Sequence, residues 1–186
     1  MKNIEAIIFD MDGVIFDTER VYLDIWSKVF KKYGYEITQE IYISVMGRGR
    51  KKVKEIFVKE FGEDLPIEEM YIEKDKILEE VINNNEVPMK LGAYDLLQYL
   101  KENQYKIALA TSAKMDRVKK QIEGAKIESF FDVIVSGDDI VNSKPDPEIF
   151  ITAANHLCVD RKRCVVIEDS PAGIEAVYRA NIIGFH

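Results

Sequence analysis

Two aspartates, Asp10 and Asp12, stand one residue apart directly after the apolar run Ile7-Ile8-Phe9, and Gly13 follows them. Side chains on a β-strand alternate between its two faces, so residues two apart point the same way. Two carboxylates in one pocket repel each other unless a cation lies between them or they divide acid and base work. The alternative is an ordinary turn opened by Asp10, with Asp12 and Gly13 as turn residues. The pair is therefore a candidate site for metal binding or proton transfer.

Further polar and charged residues follow three later apolar segments. They are Thr111-Ser112, Ser143-Lys144 and Glu168-Asp169. Carboxylates are hard oxygen ligands of the kind that Mg²⁺ prefers. The backbone amides of Ser112 and Ala113, at the start of a predicted helix, would add an anion site. A metal, a lysine and a hydroxyl around an aspartate are typical of a phosphoryl-transfer site.

Within such a site the two aspartates would have different roles. Asp10 is the candidate nucleophile, because a carboxylate can form an aspartyl-phosphate. Asp12 is the candidate acid and base, which would protonate the leaving oxygen and later activate water.

Strand-like and helix-like segments alternate on both sides of these residues. Strands alternating with helices of about ten residues imply βαβ units and a parallel sheet. Ligands of an open parallel sheet bind beyond the carboxyl ends of its strands, so the candidate residues should meet at one edge. The predicted strands are 4–9, 106–110, 132–135, 164–167 and 182–185.

Residues 17–88 have a different pattern, with apolar residues at helical spacing and no credible strand. About four helices are predicted there. The sequence thus predicts an α/β core domain made of residues 1–16 and 89–186, with an all-helical cap domain, 17–88, inserted between the two parts.

The composition excludes several classes of protein. The 186 residues carry a net charge of −7, which disfavours a nucleic-acid-binding face. The chain has two cysteines, which gives no disulfide framework or zinc site. A charged-then-apolar leader is absent from its start, and no apolar run approaches the roughly 20 residues of a membrane helix. We expect a cytoplasmic protein, a monomer with a small-molecule substrate and no membrane or nucleic-acid partner.

Four motifs occur in one order along the chain, and together they resemble the haloacid dehalogenase superfamily. The resemblance covers essentially the whole chain, including the helical cap, and is closest to the branch of β-phosphoglucomutases and sugar-phosphate phosphatases. It implies a Rossmann-like parallel sheet. It also implies about one more strand and helix beyond Phe185-His186. The motifs are Asp10-Met11-Asp12-Gly13-Val14, Thr111-Ser112, Lys144-Pro145-Asp146-Pro147 and Glu168-Asp169-Ser170-Pro171-Ala172-Gly173.

The resemblance also implies a set of site residues. Asp10 would be nucleophile and metal ligand, and Asp12 would bind the metal through its main-chain carbonyl. Asp169 would bind Mg²⁺ directly, with Glu168 as a further ligand or as a partner of the ligands. Dehalogenases of the superfamily lack an acid at the Asp12 position, which favours phosphoryl transfer here. The residues expected to hold phosphoryl oxygens are Thr111, Ser112 and Lys144.

The resemblance leaves two enzyme classes open. Arg50 and Lys114 match residues with which a β-phosphoglucomutase would hold a second phosphate. Ala113 and Met115 replace polar residues of that pattern, and Tyr22 replaces a cap histidine. We therefore favour a Mg²⁺-dependent phosphatase of small phosphorylated metabolites, such as sugar phosphates, over a β-phosphoglucomutase-like isomerase.

Two cap features have alternative explanations. Glu19 either faces the substrate or only stabilises a helix N-terminus. The basic run from Arg48 to Lys52 is either a substrate-binding element or a solvated helix start. A non-catalytic phospho-ligand-binding protein is a remote third possibility, but a pure binder has no need of Asp12.

Overall fold

The structure is a computed structural model that describes residues 4–46 and 50–186. The chain divides into two compact units. The core unit comprises Met1–Asp17 and Val87–His186, and the cap unit comprises Thr18–Glu86. The predicted boundaries, after residues 16 and 88, lie one residue before and two residues after these.

The core unit contains a five-stranded parallel sheet with the strand order β3-β2-β1-β4-β5. The central strand, β1, is therefore the strand that leads into Asp10. Phe9 at the end of β1 pairs with Leu109 on one side and with Ile167 on the other. This register brings the residues that follow β1, β2 and β4 to one level at the carboxyl edge of the sheet. The strands are β1 Ala6–Phe9, β2 Lys106–Ala110, β3 Val133–Val135, β4 Cys164–Ile167 and β5 Ile183–Phe185. The predicted parallel α/β architecture is confirmed.

The described residues form eight α-helices, four in each unit. Short 3₁₀ turns, absent from the predicted elements, cover Glu128–Phe130, Gly137–Asp139 and Arg161–Arg163. Over residues 4–46 and 50–186, we find no helix with the length and apolar character needed to cross a membrane. The helices are α1 Thr18–Lys32, α2 Gln39–Val45, α3 Arg50–Phe61, α4 Ile67–Asn83, α5 Ala93–Glu102, α6 Met115–Gly124, α7 Glu148–His156 and α8 Pro171–Ala180.

The three inner strands are buried, as expected for a parallel sheet covered by helices. Ile8 and Val166 are fully buried against α7 and α8, where Phe150 and Val177 belong to the same core cluster. α8 begins immediately after the fourth motif. Its N-cap is Ser170, whose hydroxyl accepts a hydrogen bond from the Gly173 amide at 3.0 Å.

The cap unit has its own aromatic core. The ring of Trp26 makes edge-to-face contacts with Phe30, Phe57 and Tyr71, with centroids 5.0–5.8 Å apart. Such pairs add stability beyond the burial of apolar area. The cap unit is therefore packed around side chains of α1, α3 and α4, which supports its description as a separate helical unit.

Candidate active site

The turn after β1 fixes the two aspartates in different ways. The Asp10 amide donates to the Ile167 carbonyl at 3.0 Å, which continues the sheet pairing by one residue. The chain then turns sharply, and the Met11 carbonyl accepts from the amides of both Ile15 and Phe16 at 3.0 Å. Asp10 is thus held as an extension of the sheet, whereas Asp12 lies within a tight turn.

Asp10, Lys144 and Glu168 form a buried charge cluster. Nζ of Lys144 lies 2.5 Å from Oδ1 of Asp10 and 2.6 Å from Oε2 of Glu168. The three side chains are each less than a tenth exposed. The predicted convergence of an acid and a lysine, separated by 134 positions in the chain, is therefore seen at the sheet edge.

Burial and charge shift the pKa values in this cluster. Burial raises the pKa of Asp10 to about 7, where Lys144 opposes the shift and the carboxylates of Glu168 and Asp12 add to it. Burial lowers the pKa of Lys144, but Asp10 and Glu168 outweigh that effect and hold it above its ordinary value. Two acids against one lysine leave the cluster negative once Asp10 ionises, and a cation would stabilise the ionised form.

Three carboxylates of the core unit could hold such a cation. Oxygens of Asp10, Glu168 and Asp169 all lie within 4.8 Å of one another. These hard oxygen donors fit Mg²⁺. Both oxygens of Glu168 already accept hydrogen bonds, Oε2 from Lys144 and Oε1 from the amide and hydroxyl of Ser170 at 2.9 and 2.7 Å. This arrangement favours the second of the two predicted roles for Glu168, that of a partner of the ligands.

Two glycines leave room for these carboxylates. Gly13 has a φ of +77°, and a Cβ added to it would overlap the Asp169 carboxylate. A Cβ added to Gly173 would overlap the Glu168 carboxyl group. Both glycines therefore permit a close approach of backbone to an acidic side chain, a role that the sequence pattern alone did not indicate.

Asp12 does not belong to the three-carboxylate cluster. Its Oδ1 forms an ion pair with Nη2 of Arg117, a residue in the first turn of α6. The Asp12 side chain therefore pairs with Arg117, and its carboxylate lies close enough to Asp10 to add to the raised pKa of Asp10. Arg117 was missed because a charged residue at a helix start is commonly solvated. The available signal was its position, five residues after the second motif ends.

The second motif is placed at the same edge, with one difference from expectation. Thr111 is buried, and its hydroxyl accepts a hydrogen bond from the Ala113 amide at 3.2 Å. The Ala113 amide, predicted as an anion donor, thus already has a partner within its own turn. Ser112 and Lys114 are exposed, so their side chains are accessible to solvent.

The two cap residues predicted to face a substrate, Glu19 and Arg50, line one cavity of about 320 Å³ within the cap unit. Oε2 of Glu19 accepts a hydrogen bond from the Tyr42 hydroxyl at 2.8 Å. The Arg50 guanidinium lies 3.1 Å from Oδ2 of Asp75 and 4.1 Å above the Tyr71 ring centre. Arg48, also part of the predicted basic run, lies outside the described residues.

Comparison with known proteins identifies a family. The haloacid dehalogenase-like hydrolase family matches residues 7–184. A phosphorylated carbohydrates phosphatase of Thermotoga maritima is 33% identical over 96% of this chain and 82% of that protein. A validoxylamine A 7'-phosphate phosphatase of Streptomyces hygroscopicus is 28% identical over 94% of this chain and 81% of that protein.

A solved structure has a similar fold. β-Phosphoglucomutase from Clostridium difficile is 31% identical, with a TM-score of 0.72 over 97% of this chain and 83% of that one. Sequence and structure comparisons therefore lead to the same family. The match over nearly the full length confirms the predicted family and shows that the chain belongs to the haloacid dehalogenase-like hydrolases.

Proposed function

We propose that the chain is a Mg²⁺-dependent phosphatase that hydrolyses small phosphorylated metabolites, with sugar phosphates as the first class to test. The observation that carries the proposal is the buried contact between Asp10 and Lys144 beside a cluster of three carboxylates. A nucleophile next to a fixed cation suits an attack on phosphorus, where positioning and charge neutralisation supply most of the catalysis.

The reaction would proceed in two displacements at phosphorus. A carboxylate oxygen of Asp10 attacks, the new bond to phosphorus forms, and the bond to the leaving oxygen breaks. Protonated Asp12 gives its proton to that oxygen, so the product leaves as an alcohol. Asp12 then takes a proton from water, whose oxygen attacks phosphorus. The aspartyl-phosphate bond breaks, which releases inorganic phosphate and restores both aspartates.

Lys144 and Thr111 would assist by binding phosphoryl oxygens. Lys144 is positively charged and already directed at Asp10. Ser112, which is exposed beside Thr111, and Lys114 at the start of α6 are further candidates. A positive charge in a partly buried site is more effective than in water, because the effective dielectric constant is lower there.

A magnesium ion would be held by Asp10, Asp169 and the main-chain carbonyl of Asp12. Glu168 would act as a partner of these ligands. Carboxylate oxygens of Asp10, Glu168 and Asp169 within 4.8 Å of one another support the two carboxylate ligands and the neighbouring place of Glu168; the Asp12 carbonyl is taken from the family resemblance. When bound, the ion would neutralise charge on the phosphoryl oxygens and on the attacking carboxylate.

The cap cavity would contribute to the choice of substrate. Tyr22, Trp26 and Tyr42 give it aromatic walls, while Glu19 and Arg50 supply polar groups. Aromatic faces combined with a few polar groups are typical of small-molecule sites. The names of the relatives, which include a phosphatase of phosphorylated carbohydrates, support a sugar-like substrate.

A β-phosphoglucomutase-like isomerase is the second candidate, because one similar structure carries that name and because Arg50 and Lys114 match its pattern. The contacts of Arg50 argue against it. The guanidinium is already paired with Asp75 and stacked on Tyr71, so a second phosphate would have to share it with that carboxylate. We therefore keep the phosphatase as the main proposal.

The test is a screen for phosphate release from monophosphorylated sugars, polyols and nucleotides with Mg²⁺, run beside isomerisation of β-glucose 1-phosphate. Asp10→Asn serves as the inactive variant, and Asp64→Asn, in an exposed position of the cap unit, as its matched control. Release that requires Asp10 supports the proposal. Isomerisation much faster than release would favour the isomerase, and no turnover by the wild type would contradict both.

A further inference from the structure

Arg117 and Asp12 form an ion pair within the core unit, with side chains 22% and 30% exposed. Arg117 is the third residue of α6, the helix that follows β2. Long side chains in helices lean towards the N-terminus, which here is the end nearest to the sheet edge. The guanidinium therefore reaches the turn after β1 from the helix that follows the neighbouring strand.

The start of α6 is anchored, and the arginine is held in orientation. Oδ2 of Asp138 accepts a hydrogen bond from the Met115 amide at 2.8 Å, which fixes the first turn. Within the helix, Nε of Arg117 donates to Oε1 of Gln121 at 2.9 Å. The guanidinium thus donates to Gln121 through Nε and to Asp12 through Nη2.

Gln121 has a feature that folding alone does not explain. Gln121 is only 4% exposed. Within the part of the chain that the structure describes, its Nε2 has no hydrogen-bond partner. A buried donor without a partner destabilises a protein relative to an apolar side chain of similar shape. The side-chain hydrogen bond that the structure describes for Gln121 is the one that its Oε1 accepts from Arg117.

We propose that Arg117 is a positioning residue for Asp12, resting on the phosphatase reaction above. By binding Oδ1, it would present Oδ2 for proton transfer to the leaving oxygen. Gln121 would keep the guanidinium in the plane required for that contact.

The test depends on the leaving group. A sugar alkoxide is a poor leaving group and needs a proton from Asp12, whereas p-nitrophenolate leaves without one. Release of the leaving group is measured in a single turnover for both kinds of substrate, so that only the first displacement is observed. The variants are Arg117→Ala and Arg117→Lys. The control is Arg179→Ala, which removes another ion-paired arginine, from α8.

Arg117→Ala is expected to slow release of the leaving group from the sugar phosphate by about 10- to 100-fold. This is a part of the rate enhancement that a general acid–base group contributes. Release of p-nitrophenolate should change by less than about threefold on the same argument. Arg117→Lys should recover part of the loss, and Arg179→Ala should match the wild type. An equal loss on both substrates, or no loss on either, would overturn the proposal.

Gln121→Leu provides a second variant that does not depend on the fold tolerating the loss of Arg117. It removes a buried unpaired donor but also the acceptor of Arg117 Nε, a side chain that still reaches solvent, so its melting temperature should stay close to that of the wild type. It should nevertheless slow release from the sugar phosphate more than release of p-nitrophenolate. A variant with unchanged rates on both substrates would contradict the role of Gln121 and with it the proposed orientation of Arg117.

Failure of this inference can be told apart from failure of the phosphatase proposal. A wild type that releases no phosphate from any substrate refutes the phosphatase. A wild type that is active while the Arg117 variants show no dependence on the leaving group refutes the positioning role alone.

Discussion

Nζ of Lys144 lies 2.5 Å from Oδ1 of Asp10, in side chains that are only 9% and 8% exposed. The same amine lies 2.6 Å from Oε2 of Glu168, so one lysine serves two buried acids. A buried ion pair of this kind is costly to break, because the remaining charge loses its partner without regaining water. The contact links the stability of the core unit to the proposed chemistry.

Lys144→Ala should destabilise the metal-free protein strongly. Removal of one partner of a buried pair costs about 3–5 kcal/mol, since the charges left behind are uncompensated. Urea unfolding in EDTA at pH 8 measures the change in the free energy of unfolding. Lys101→Ala is the control, because Lys101 pairs with Asp132 at 3.0 Å in an exposed position. It should stay within about 1 kcal/mol of the wild type, and an equal loss in both variants would contradict the account.

The metal-free protein should lose stability as the pH rises from about 4 to about 7. Burial raises the pKa of Asp10 from 3.8 to about 7, so over that interval the folded state holds a proton that the unfolded state has released. Stability therefore falls with increasing pH and levels off above the folded-state pKa. Melting temperatures at pH 5 and pH 8 in EDTA give the slope.

Asp10→Asn should flatten this pH dependence, because asparagine does not titrate. Mg²⁺ should stabilise the wild type more at pH 8 than at pH 5, since it binds the ionised carboxylate and protons compete for it. A wild type whose melting temperature rises between pH 5 and pH 7 in EDTA would show that the Asp10 pKa is not raised.

Gly13→Ala should abolish the response to Mg²⁺ as well as strain the backbone. The residue has a φ of +77°, and a methyl group there would overlap the Asp169 carboxylate. Gly34→Ala is a matched control, because Gly34 has a φ of +83° and open space around its missing Cβ. The left-handed conformation alone costs about 1–2 kcal/mol in a residue other than glycine.

Both glycine variants should thus be destabilised by similar backbone strain, while only Gly13→Ala loses the stabilisation by Mg²⁺ in a thermal shift assay. Wild-type Mg²⁺ affinity in Gly13→Ala would show that Asp169 is not a ligand in the position seen here.

Arg50→Ala should raise KM for the best substrate with a small effect on kcat, if Arg50 contacts a part of the substrate away from the reacting phosphate. Such a contact is equally strong in ground and transition states, so it affects binding alone. Arg20→Ala, an exposed arginine of α1 that is outside the cavity lining, is the control. Steady-state kinetics measure kcat and KM for both variants. An unchanged KM for Arg50→Ala would show that Arg50 does not contact the substrate.

Much of the candidate site could be predicted from the sequence because a parallel sheet brings the carboxyl ends of its strands together. Asp10, Thr111 and Glu168 are far apart in the chain, yet each directly follows a strand. Lys144 lies in the loop after β3, and the four residue types indicate one chemistry. The strands Lys106–Ala110 and Cys164–Ile167 were predicted at their observed bounds for the same reason, since each is a short apolar run between polar ends.

The remaining features depend on which groups meet in space. Arg117 lies on a helix, and neither the periodicity of α6 nor its charges indicate that its side chain reaches Asp12. Gly13 and Gly173 were recognisable as motif residues, but their contacts with acidic side chains require the folded backbone. The ion pair of Asp12 with Arg117 likewise depends on the orientation of the turn after β1.

The central claim is that Asp10 forms a covalent phosphoenzyme. A turnover mixture with the preferred sugar phosphate and Mg²⁺ is quenched with borohydride, which reduces an aspartyl-phosphate to homoserine, and the peptide containing residue 10 is examined by mass spectrometry. We predict homoserine at position 10 in the wild type and none in Asp10→Asn or without substrate. Phosphate release at the normal rate with an unmodified Asp10 in every quenched sample would contradict the account.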